Sequence, residues 1–343
     1  MAIDIHDPRF FPDEAVRWTP VLLEKMIRYE EIFNMWRVLL ASYNDKREDP
    51  QEEVEFVAEG GDLATWDSIS GEPEFSEWAS RVRWMVKTGA IATGTAFREV
   101  HIRNPTFWKK KGAYDKNVGR MATALHRKHL QDLLAPLWGS ASLRTYDNQP
   151  LVAMEGGTAH TAINGEPFFN GTSFASAGAS EDLSPFDCLR LCEIADLHFK
   201  NLKAFGVAGV KDSGEPHQLN VIYRNDSARA AWSRFKDLDK IELDSGKHVG
   251  NKFQGIELWS ITRFDGVSAA DDMTHQFIPS GLEDGEHPCA YVPWKDPDLE
   301  AWKDRDKKLY KTTSERGYGV GVHNPMGIFE IRSAGAPPVG PVN

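Results

Sequence analysis

Cysteine is scarce in this chain. Only Cys188, Cys192 and Cys289 occur among 343 residues, an odd number too sparse for a disulfide framework, which excludes a small scaffold held by bridges. No stretch approaches the roughly 18 apolar residues of a membrane-spanning helix. The opening MAIDIHDPRFF has no basic region followed by an apolar run, so no secretion signal is expected. Positive charge is also short: 40 Lys and Arg stand against 51 Asp and Glu, a net of −11. That balance opposes general attraction to nucleic acid or to an anionic membrane. A soluble protein made in the cytosol, with reduced and buried thiols, is the expectation.

Catalytic signatures are missing as well. Gly317-x-Gly-x-Gly lies inside a strand pattern before Pro325, whereas a dinucleotide loop follows a strand and opens a helix. Gly206-Val-Ala-Gly209-Val-Lys211 lacks the Gly-Lys-Ser/Thr ending of a phosphate-cradling loop, and no Gly-x-Ser-x-Gly elbow is present. His126, His129 and Asp132 recur every three residues on a helical pattern, a spacing that would put metal ligands on one face. Arg127 and Lys128 surround them and no Cys or Glu completes a set, so a structural role is expected. Cys188 and Cys192 sit beside Asp187 and Glu193, neighbours that raise a thiol's pKa. No metal, cofactor or catalytic set is expected.

What is present is an ordinary globular composition, 41% hydrophobic and 27% charged, enriched in large rings with 11 Trp and 18 Phe. A length of 343 residues allows about two domains with a sizeable core, and rings in such number favour interfaces as well as cores. Thr19-Pro20 predicts a helix running to about Asn44. Leu22, Met26, Tyr29, Phe33, Trp36, Leu40 and Tyr43 form one seam along it. Such a seam serves equally to pack a helix on its own domain. The polar run Asn44 to Pro50 that follows favours an arm on a linker.

Residues 51–104 alternate and turn, predicting a two-stranded excursion: Val54 and Phe56 on the way out, Thr95, Phe97 and Glu99 to Ile102 on return, with Trp66, Trp78 and Trp84 between. A long helix is expected from Asp115 to Trp138, closed by Gly139. A Gly- and Ser-rich stretch with one or two short strands follows, to Ser180. Ser184-Pro185-Phe186-Asp187 then has the cap, the proline and the acid of a helix start. Further on, Leu219–Tyr223 and Ile256–Ile261 read as strands and Ala228–Phe235 as a helix capped by Asp226-Ser227. After a Pro-rich segment from Pro288 to Pro297 come the strands of Gly317–Val322 and Ile328–Ile331. The first of these has glycine on one face, which requires something packed tightly against it.

The order of segments resembles the Mu-like major head subunit family, and through it the capsid fold of tailed phages, over roughly residues 54–332. Trp66, Glu77-Trp78 and Arg81 stand where the family marks its extended loop. Thr95, Phe97, Val100, Ile102 and Arg103 resemble its return strand. Asn164-Gly165-Glu166-Pro167-Phe168-Phe169 resembles its Asp-Gly-x-x-Phe-Phe segment, Leu219–Trp232 its Ala-rich helix region, and Gly317-Tyr318-Gly319 its C-terminal strand. The chain departs from the family in its longer arm, in Asn170-Gly171 where Asp-His is usual, and in the unmatched insert 265–306.

The resemblance implies an α+β fold divided into an arm (1–50), an extended loop (51–104), a peripheral domain with a long spine helix (105–183 and 305–343) and an axial domain (184–304). It also implies a major capsid protein that assembles with itself into pentamers and hexamers of an icosahedral shell, with Phe33, Trp36, Trp66, Glu77, Trp78 and Arg81 at subunit contacts. Partners would be a scaffold, a portal and packaged DNA touched without specificity, and no membrane. Assembly would occur in the host cytoplasm, and the chain would reside in the virion capsid. Two rivals stand beside it: a cellular nanocompartment shell of the same fold, and a soluble metal-dependent hydrolase using the His126/His129 pair.

Overall fold

The computed structural model describes residues 40–42, 53–58, 82–98, 113–138, 143–162, 165–174, 183–202, 216–223, 226–243, 245–260, 274–282, 287–304 and 306–333. Two five-stranded sheets organise them. The first contains β1 (Leu40–Ser42), β2 (Glu53–Ala58), β3 (Val82–Arg98), β12 (Cys289–Asp304) and β13 (Leu309–Val322), in the order β1-β12-β13-β3-β2. Three of these strands are long and antiparallel, so β3, β13 and β12 form a ribbon. Arg98 faces Leu309 and Asp304 faces the same residue from the other side.

The second sheet has the order β10-β7-β11-β14-β6. It is built from β6 (Gly171–Phe174), β7 (Leu219–Tyr223), β10 (Glu257–Ser260), β11 (His275–Pro279) and β14 (Phe329–Ser333). Short pairs β4 (His160–Thr161) with β5 (Pro167–Phe168), and β8 (Lys240–Glu242) with β9 (His248–Gly250), complete the strands.

Helix α1 (Ala113–Leu134) continues as a 3-10 turn, Ala135–Trp138, because Pro136 lacks the N–H that another α-turn needs. Its buried stripe of Met121, Ala122, Leu125, Leu130, Leu133, Leu134 and Leu137 lies between the sheets. Leu130, Leu133, Leu134 and Leu137 share one core with Ile222 of β7, Ile278 of β11, Tyr291 of β12 and Tyr318 of β13. Helices α2 (Pro185–Asn201) and α3 (Asp226–Asp237) cover the other face of the second sheet, where Cys188, Cys192, Phe199, Trp232 and Phe235 meet Val221, Phe277, Phe329 and Ile331. Every residue of β7 is buried, as a strand covered on both faces must be.

The start of α2 is as its sequence spells it. Asp187 N–H donates to Ser184 Oγ at 3.1 Å, and Ser184 N–H donates back to Asp187 Oδ2 at 3.0 Å. The glycine face of β13 is covered too. A Cβ on Gly321 would stand 2.6 Å from Val86 Cγ2, one on Gly319 2.9 Å from the Lys87 carbonyl oxygen, and one on Gly317 would run into the indole of Trp294.

Four expectations are corrected. The arm helix does not reach Asn44, because Leu40–Ser42 is a strand parallel to Cys289–Tyr291. The last carbonyls of a helix lack partners, whereas the edge of β12 offers a row of them. The rest of that seam lies outside the described residues. Trp84 belongs to β3, in register with Phe56, rather than to the irregular tip. The Gly- and Ser-rich stretch to Ser180 holds three short strands, β4 to β6. The Pro-rich segment is the 16-residue strand β12. Its prolines are accommodated by register shifts between Pro293 and Lys295 and between Lys295 and Asp298, where the ladder does not require their missing N–H.

Candidate assembly surface

Between α1 and the ribbon lies a buried polar knot. Arg316 of β13, 9% exposed, donates from Nη1 to His129 Nδ1 at 3.0 Å and from Nη2 to Tyr291 Oη at 3.1 Å. Tyr318 Oη donates to Asp132 Oδ2 at 2.7 Å, and Lys128 Nζ to Asp132 Oδ1 at 2.6 Å. The His129 ring stands edge-on to Tyr318, 4.6 Å between centroids. Burial, reinforced by the Arg316 guanidinium, lowers the His129 pKa to about 2 and that of His126 to about 4. Both imidazoles are therefore neutral at pH 7, and His129 acts as acceptor for Arg316. The residues spaced like metal ligands are thus gathered into the joint that fastens α1 to the sheet, with His129 and Asp132 each committed to a protein partner.

Cys188 and Cys192 fall where the helical pattern places them, buried in the core beneath α2 and α3, and Cys289 is buried in the core that α1 shares with the two sheets. Burial pushes all three thiols well above their ordinary range.

A second knot explains the departure at Asn170-Gly171. Asn170 is fully buried. It accepts from Ala153 N–H at 2.7 Å and donates to the carbonyls of Leu151, at 2.8 Å, and Pro325, at 2.6 Å. Gly171 lets the backbone lie against Val152, whose Cγ1 is 2.8 Å from where a Cβ would be. Nearby, Asp147 Oδ2 accepts from His160 Nδ1 and from Thr161 N–H, each at 2.9 Å.

On the ribbon face away from α1, the bulge in β12 turns Trp294 across Gly317 of β13, and its Nε1 donates to the Gly89 carbonyl of β3 at 3.1 Å. Beyond it the charges are paired: Lys295 with Glu315 at 3.0 Å and Asp298 at 3.3 Å, and Lys311 with Asp304 at 2.8 Å. Trp302 is 42% exposed there.

The six expected contact residues Phe33, Trp36, Trp66, Glu77, Trp78 and Arg81 lie outside the described residues. Arg316 and Trp294 escaped sequence reading, and Asn170 was singled out only as a departure from the resemblance, without a role. For Trp294 the signal was available in the glycine face of β13, which demanded a large neighbour without saying which.

A ribbon of long strands and a second sheet of short ones, both sharing a core with the spine helix α1, form a fold that this chain shares with the capsid subunits of tailed phages. The capsid of cyanophage P-SCSP1u superposes with a TM-score of 0.56 at 9% identity, over 88% of each chain. The capsid of cyanophage Pam1 gives 0.53 at 11%, covering 88% of this chain and 89% of that one. Mycobacterium phage Patience gives 0.53 at 11%, covering 94% and 89%. No protein-family model and no curated protein matches the sequence.

Proposed function

We propose that this chain is the major head subunit of a tailed phage of the Mu-like kind, a protein that builds an icosahedral shell from its own copies. The observation that carries the reading is the fold, shared with a phage capsid over 88% of both chains. The work is mechanical: many weak, symmetry-related contacts sum to a closed shell, and no reaction is catalysed. Phe33 and Trp36 of the arm and Trp66, Glu77, Trp78 and Arg81 of the extended loop make contacts between subunits. A scaffold and a portal assist in the host cytoplasm, and packaged DNA is touched without sequence readout. Electron microscopy of the purified protein tests this, the expected result being closed icosahedral particles. A monodisperse monomer that binds metal would overturn the reading in favour of a hydrolase. Particles from infected cells holding a protein cargo and no nuclease-resistant DNA would overturn it in favour of a nanocompartment.

A further inference from the structure

The outer face of α1 differs in charge from the rest of the described surface. Arg120, Thr123, Ala124, Arg127, Lys128 and Gln131 form an exposed stripe along the helix, and with Gly119 they line a shallow open groove. Small residues set its floor and cations its rim. Among the described residues Lys128 pairs with Asp132, while Arg120 and Arg127 form no ion pair. Elsewhere the exposed charges are mixed or matched. The ribbon cations Lys295 and Lys311 are bonded to carboxylates. On α2, Glu193 meets Lys252, and Arg190 stacks over Phe186 at 5.7 Å. On α3, Arg229, Arg234 and Lys236 share the surface with Asp237 and Asp239. A chain of net charge −11 therefore concentrates uncompensated positive charge on one helix face, and the buried stripe on the ribbon turns that face away from the sheet.

We propose that the exposed face of α1 is the surface this chain turns toward DNA, with Arg120 and Arg127 contacting backbone phosphates and no base being read. The inference rests on the shell reading and specifies which face of the wall is the inner one. Arg120 and Arg127 are seven residues apart, about 10 Å along the helix axis, while successive phosphates of one DNA strand advance about 3.4 Å along the duplex. Two arginines thus reach phosphates roughly three nucleotides apart, and the small residues between them let a backbone lie close. Two or three charge contacts bind weakly in one subunit, and repetition over a closed shell multiplies them. The remaining negative charge keeps the wall from gripping its contents.

The test is fluorescence anisotropy of a short DNA duplex with the unassembled full-length chain, separated from particles by size exclusion. Affinity should fall roughly ten- to fortyfold between 50 and 200 mM salt, the slope expected for about two to three phosphate contacts. R120Q/R127Q should abolish binding with an unchanged circular dichroism spectrum, and R229Q/K236Q on α3, an equal charge change, should leave it intact. Wild-type protein that ignores the duplex, or loss of affinity equal in both variants, would overturn the proposal. So would polyglutamate that displaces the duplex at lower concentration than competing DNA, since the face would then belong to an acidic protein. Electron microscopy of the same preparations is read separately. Particles without DNA binding sink only this inference, whereas binding through α1 without any particles sinks the shell reading and with it the assignment of that face to the inner wall.

Discussion

Arg316 is a guanidinium inside the protein that relies on a histidine as acceptor, and such an arrangement holds only while that ring is neutral. An unfolded chain protonates its histidines near 6.5, whereas the folded chain resists until about 4 at His126 and about 2 at His129. As pH falls below 6.5 the unfolded state takes up protons that the folded state refuses, so stability declines with falling pH. His126 and His129 both act in this direction, so the loss accumulates as pH falls from 6.5 toward 4. Asp147 acts lower down. Burial would raise its pKa, but bonds from His160, Thr145 and Thr161 outweigh burial and bring it from 3.8 to about 2, so its contribution is present above pH 4 and is lost toward pH 2. Thermal melts of the chain should therefore show a falling midpoint from pH 6.5 to 4, and H126Q/H129Q should flatten that slope. A wild-type profile flat across the window, or an undiminished slope in the variant, would refute this account of the knot.

At the scale of elements, the ribbon is locked where β12 is irregular. Trp294 crosses β13 to reach the Gly89 carbonyl of β3, which only a residue without a side chain at 317 permits. Gly317→Ala should cost about 1–3 kcal/mol by overpacking, read from urea denaturation. Trp294→Ala removes the obstacle and the bond together. The double variant should accordingly be less destabilised than the sum of the two singles, because the residues share one contact. Strict additivity would show that Trp294 does not occupy the glycine face.

For the whole molecule, stability and function separate. The buried residues of the two described cores all lie between Leu130 and Ile331, so Phe33→Ala with Trp36→Ala should leave a folded subunit with an unchanged circular dichroism spectrum. Particle assembly should fail or give aberrant shells, since buried aromatic anchors concentrate interface energy. Unfolding of the double variant would place the seam in the subunit's own core, and normal particles would show that it is no interface.

Local chemistry was legible wherever a residue acts on its near neighbours. Ser184 and Asp187 spell a capping box, the stripe from Met121 to Leu137 spells a helix buried on one side, and the glycines of β13 announce a close approach. The sequence by itself therefore determined α1, the start of α2, strand β7 and the α+β class. Two things were decided only by tertiary structure. One is strand identity at 40–42 and 289–304, because a neighbouring strand's unpaired N–H and C=O groups override weak local preference and tolerate proline at a bulge. The other is the partnership of Arg316 with His129, 187 residues apart in the chain. A spacing of three on a helix shows that His126, His129 and Asp132 share a face, but only the strand laid against that face decides whether it holds a metal or a guanidinium.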